Sequence, residues 1–211
     1  MNNSTIDNKP HDTEQLILKA AEKEFLLKGF AGARTTSIAE AAGVTHAMLH
    51  YYFRTKAKLF DRVLNEKIRL LKEALFSSFD YSNASLEEII RNIVGRHLDF
   101  IAANPELPRF IIEEINNDPE RSNVFIEQIA KYAPIIIGTM QNKIDEAAAK
   151  GKCRKTDARM LMLDIASLNI FSFLAAPVVK AALGDITTDV KSFLSMRKKE
   201  NYDTIMRKLK P

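Results

Sequence analysis

Between Gly43 and Phe60 the chain reads GVTHAMLHYYFRTKAKLF, which crowds His46, His50, Tyr51, Tyr52, Arg54, Lys56 and Lys58 into one short stretch. Imidazole, phenol and basic groups at this density suit metal binding, acid–base chemistry, contact with a polyanion, or plain packing. His46 and His50 stand four apart on an expected helix, so both rings face one side, as in a two-histidine zinc pair. Only Ala47, Met48 and Leu49 lie between them, no glutamate follows the first histidine, and Cys153 is remote. No metal site is expected. A nucleophile needs a base and a group to orient that base, and Ser37, Thr45 and the histidines form no such pattern. Glu87 with Glu88 and Glu113 with Glu114 read as solvated helix faces and caps. The chain is therefore expected to be no enzyme and to carry no cofactor.

Packing explains half of the stretch. Ile38, Ala39, Val44, Leu49, Tyr52 and Phe53 have the sizes and spacings to knit small helices together, and Gly43 can take the positive φ of a tight turn. Thr45, His46, Ala47, His50 and Tyr51 project the other way. A short helix with hydroxyls, imidazoles and a phenol on its outer face, followed at once by Lys56, suits DNA. Such a helix fits the major groove, and hydroxyls and lysines contact phosphates.

The elements that would position this face are all helical. Apolar residues recur at three and four, glycine is scarce, and no run alternates for long. A first helix is expected from about Asp12 to Lys28, capped by Asp12 with Gln15, lined by Leu18, Ala21 and Phe25, and ended by Gly29. A second covers about Thr36 to Ala42 and a third about Thr45 to Phe53, with Gly43 between them. Thr55 caps a long fourth helix to about Phe76. Ser85 and Glu88 form a capping box for a fifth, which stops at Asn104-Pro105. Helices follow over about Pro108 to Asn116, Ser122 to Lys150 with a kink at Pro134, Thr156 to near Pro177, and Thr188 to Leu209. The organisation expected is a disordered tail over residues 1–11, a helix-turn-helix domain over 12–55, and a larger helical domain over 56–211.

The whole chain sets outer limits. Its 211 residues carry a net charge of only +4, so any anionic partner must meet clustered rather than overall charge. The single cysteine forms no intrachain disulfide, and the first residues hold no apolar signal segment, so a cytoplasmic protein is expected. Leu161 to Val179 approaches the ~20 residues that span a bilayer. Asp164, Asn169 and Pro177 lie inside it, so it reads instead as a helix buried on more than one side.

The stretch TTSIAEAAGVTHAMLHYYFRTKAKLF resembles the DNA-binding signature of the tetracycline-repressor (TetR) family. The matching residues are Ile38, Ala39, Ala42, Gly43, Val44, Thr45, Leu49, Tyr52, Phe53, Lys56 and Leu59. The resemblance implies an all-α homodimeric transcription regulator, most often a repressor. Its first three helices bind a palindromic double-stranded operator, its later helices enclose a small-molecule effector, and its last two form the dimer. Carried onto this chain, it implies base-reading contacts from Thr45, His46, Ala47, His50 and Tyr51. It implies phosphate contacts from Thr35 or Thr36 and from Lys56. Many members carry Tyr where this chain has His50. Candidates for an apolar or amphipathic effector pocket are Phe76, His97, Phe100, Phe110, Tyr132, Met140 and Phe171, each of which also suits ordinary core. A helical ligand carrier or a protein-interaction module, its first helices merely reader-like, is the alternative.

Overall fold

The computed structural model describes residues 9–76, 81 and 83–211. Among them it contains α-helices, one 3-10 turn and no strand. In chain order the helices are α1 (Lys9–Gly32), α2 (Thr35–Ala41), α3 (His46–Phe53), α4 (Lys56–Phe76) and α5 (Leu86–Ala103). They continue as α6 (Leu107–Asn117), α7 (Pro119–Ala149), α8 (Ala158–Leu174), α9 (Ala176–Leu183) and α10 (Val190–Leu209).

The chain divides into two compact units. One is Met1–Arg69 with Phe110–Phe125, the other Leu70–Arg109 with Ile126–Pro211. The first unit thus runs past residue 55, because Leu59, Phe60, Val63, Leu64 and Ile68 of α4 are all buried. Its core is aromatic. Phe60 meets Phe25 edge-on at 5.0 Å, Phe30 at 5.1 Å and Phe110 at 5.8 Å between ring centroids. Ile17, Ala21, Ile38 and Leu49 complete it, and the half-exposed Glu22 carboxylate holds the buried Lys67 ammonium at 2.6 Å.

The helix of α1 breaks where glycine allows. Gly29 sits at φ 67°, and Phe30 N–H then donates to Glu114 Oε1 of α6 at 2.8 Å. That bond closes the unit across 84 residues of sequence. At the other end α1 starts at Lys9, so Asp12 lies in the first helical turn rather than capping it. Pro10 is at home there, since N–H groups of a first turn have no helical acceptor. Residues 1–8 of the expected tail lie outside the described residues.

The second unit packs α5, α8 and α10 around one apolar core. Ile89, Ile90, Ile93 and Val94 meet Leu161 and Ile165, with Met140, Ile144 and Ile205 closing it. Ser85 and Glu88 form the reciprocal capping box that starts α5. Pro134 lies inside α7, which continues past it to Ala149. The apolar helix ends near Pro177 as expected, at Leu174, but Pro177 itself occupies the first turn of a further, unexpected helix, α9, which turns 81° away from α8. A proline ring clashes with the preceding turn inside a helix, yet its fixed φ suits a helix start. No single helix among the described residues is long and apolar enough to cross a membrane.

Candidate nucleic-acid interface and effector cavity

The turn between α2 and α3 is set by the backbone. Gly43 takes φ 70°, Gly43 N–H donates to Glu40 O, and Val44 N–H reaches back to Ala39 O. These paired bonds satisfy the last carbonyls of α2 and turn the chain sharply. Thr45 then caps α3, its Oγ1 accepting from Met48 N–H at 3.2 Å. Leu49 and Phe53 are buried, which turns the opposite face outward.

That outward face carries Thr45, His46 and Ala47, all exposed, with Tyr51 exposed by 74% and His50 half-buried. Thr35 is the first helical residue of α2, and Arg34 is the uncapped position before it. The Thr35 hydroxyl meets His46 Nε2 at 2.9 Å, which ties the start of α2 to the start of α3. Thr36 is exposed beside it. His50 stands edge-on to His46 at 4.4 Å, with its Nδ1 donating to Arg54 O at 3.0 Å. Among the described residues no group of three or more His, Cys, Asp or Glu side chains is placed to hold a metal ion.

The exit from α3 is strained. Arg54 has φ 59° and ψ −52°, and Thr55 N–H donates to Phe53 O, closing a three-residue turn. Thr55 Oγ1 accepts from Lys58 N–H and so starts α4. Lys56 is half-buried over the Phe30 ring at 4.7 Å, with Nζ donating to Ala31 O. Its ammonium is thus held against the end of α1.

The second unit holds a cavity of about 310 Å³ between α4, α5 and α7. Ile89, Ile93, Ile135, Ile136 and Met140 form its apolar wall, with Lys72, Tyr81, Tyr132 and Thr139 as its polar groups. Of the seven expected pocket residues, Tyr132 and Met140 lie here. Phe110 belongs to the core of the first unit, Phe100 is buried outside the lining, and Phe171 is 60% exposed on α8. The side chain of Phe76 lies outside the described residues. His97 sits in a separate polar cluster. Asn169 Nδ2 donates to Val94 O at 3.0 Å and to His97 Nδ1 at 3.2 Å, while Asn169 Oδ1 accepts from Asn201 Nδ2 at 2.8 Å. Burial pushes His97 down to about 4.

Sequence reasoning missed Lys72, Tyr81 and the isoleucines of the cavity. Nothing local marks them, because α4, α5 and α7 meet only in three dimensions. Asn169 was legible merely as a polar residue in an apolar helix.

Helices α1, α2 and α3, with a glycine turn before the exposed third, have the arrangement of a helix-turn-helix domain. Residues 17–63 match the family described as bacterial regulatory proteins, tetR family. That match covers the helix-turn-helix segment of the chain. It is 33% identical over 109 residues to the transcriptional repressor NicS of Pseudomonas putida, covering 48% of each chain. It is 30% identical over 129 residues to the transcriptional repressor SCO4008 of Streptomyces coelicolor, covering 57% of this chain and 63% of that one. The match thus spans about half the length of the first relative and under two thirds of the second. Its fold is that of the transcriptional regulator SCO4942 of Streptomyces coelicolor, with a TM-score of 0.69 at 22% identity over 93% of this chain and 98% of that one.

Proposed function

We propose that the chain is a homodimeric, sequence-specific transcription repressor, in the cytoplasm, released from a palindromic operator by a small amphipathic ligand. The observation that carries this reading is the outer face of α3, where Thr45, His46, Ala47 and Tyr51 stand exposed on a helix whose other face is locked into a core. His46 and Tyr51 have the reach and the donors to address base edges. Thr35, Thr36 and Lys56 flank them as phosphate contacts. The two relatives whose names say repressor support the sign of the regulation.

Dimerisation through α8 and α10 is supported by apolar side chains left in the open. Leu163 is 58% exposed and Phe171 60%, with Met160, Leu174 and Val178 also exposed nearby in sequence. A second copy would cover them and explain the apolar content that α8 spends on no internal neighbour. Two readers related by a two-fold axis would address half-sites about 34–36 Å apart or a multiple of that. α4 and α7 each belong partly to both units and each line the cavity, which makes them covalent routes from the cavity to the first unit. A ligand shifts the equilibrium only by its differential affinity for the two states.

Fluorescence anisotropy with labelled DNA from upstream of the protein's own gene, at two salt concentrations and against random DNA, tests the reading. Tight binding that weakens with salt and exceeds random DNA is the expected result. No binding to any duplex at low salt would sink it.

A further inference from the structure

We infer that the cavity between α4, α5 and α7 is a site for a small amphipathic carboxylate, its apolar body against the isoleucine wall and its head on the Lys72 ammonium. This rests on the regulator reading and names the chemical class of its effector. The wall supplies Ile89, Ile93, Ile135, Ile136 and Met140, so most of the ligand must be apolar. A volume of about 310 Å³ is at the small end for ligand sites and limits that body to a medium chain or a single ring system.

The polar groups fix the head by elimination. Tyr81 O–H donates to Leu75 O at 2.5 Å and its oxygen accepts from Asn92 Nδ2 at 2.8 Å. Thr139 O–H donates to Ile135 O at 3.0 Å. Both hydroxyl protons are therefore spent on backbone carbonyls. Lys72 and Tyr132 remain, with the Lys72 ammonium 3.5 Å from the Tyr132 ring centroid. No acidic side chain lines the cavity, and among the described residues no carboxylate pairs with Lys72. An ammonium beside an apolar wall, with an aromatic face as its neighbour, lacks the anion that would complete its solvation. Lys131 adds a second cation 5.5 Å from the same ring, and the Tyr132 phenol is held below its usual range by the hydrogen bond from Lys72 and the charge of Lys131. The local field is positive, so a cationic ligand is excluded and an anionic one is drawn in.

Titration calorimetry on the full chain at neutral pH, with octanoate, octanol and octylamine as probes, separates the head groups on one common tail. Octanoate should bind about tenfold or more tighter than octanol, with octylamine weakest. Lys72→Met should bring octanoate down to octanol and leave octanol unchanged. Phenylbutyrate in the same series tells an aliphatic from an aromatic body. Octanol equal to octanoate, octylamine tighter than either, or no binding by any of the three would overturn the inference. The wild-type comparison decides it even where the variant does not fold. The same samples are then mixed with operator DNA. Octanoate binding without DNA release keeps the carboxylate site and refutes the release mechanism. DNA binding that persists while no probe binds leaves the regulator and removes the site.

Discussion

Thr45 and His97 show how single side chains divide between holding the molecule and serving it. Thr45 caps α3 through Met48 N–H, and its exposed hydroxyl also belongs to the outward face. Thr45→Ala should cost about 1 kcal/mol of stability, read as a lower chemical-denaturation midpoint, whereas Thr45→Ser keeps the cap. Equal midpoints for the two variants would remove the capping role. His97 carries a different prediction. The Val94 carbonyl can only accept, so the Asn169 amide nitrogen must face it, and His97 Nδ1 beside that nitrogen must also accept. His97 is therefore neutral in the fold. Its value of about 4 lies below the 6.5 of a free imidazole, so the unfolded chain binds the extra proton first as pH falls. Stability should fall as pH drops from about 6.5 towards about 4, by about 2 kcal/mol from this group once its residual exposure is allowed for. Denaturation midpoints across that window, with His97→Asn flattening the slope, check it; a slope unchanged in the variant would refute it.

At the scale of elements, glycine places the breaks and long-range bonds hold them. Gly29 is left-handed, and a Cβ there would come within 2.9 Å of Glu114 Oε1, the atom that accepts from Phe30 N–H. Gly29→Ala should therefore cost about 1–3 kcal/mol, from backbone strain and the displaced carboxylate together. A thermal melt within a degree of wild type would show that the kink is soft. The glycine stop itself was legible, as were Gly43, the Thr55 cap and the Ser85–Glu88 box, because each depends on neighbours within four residues. The partner of the Gly29 kink was not, since Glu114 lies on another helix with nothing in its own surroundings to mark it. The separate helix α9 was missed for the opposite reason: Pro177 gives the same local signal just inside a helix start as just past an end. Likewise the outer face of α3 follows from its helical period, while the cavity needs three helices that no local pattern brings together.

For the whole molecule, the exposed apolar face of α8 makes the proposed dimer a matter of surface rather than core. Leu163→Lys with Phe171→Glu replaces two open side chains, so the monomer fold should survive with an unchanged helical signal. Light scattering should show the mass halved, and operator affinity should drop at least about tenfold as the second reader is lost. A pair of substitutions that left the mass of the dimer intact would move the interface elsewhere.

The bond between Thr35 and His46 has a consequence for how such a reader ages with its target. A hydroxyl can turn to donate or to accept, and the imidazole proton moves to match it. With Nε2 engaged by Thr35, Nδ1 is left to present either a proton or a lone pair. If α3 reads an operator as proposed, a base edge facing His46 could change from acceptor to donor without losing its contact. Thr35→Val would remove the hydroxyl that holds Nε2, leaving the ring free to turn and weakening whatever contact His46 makes under that proposal.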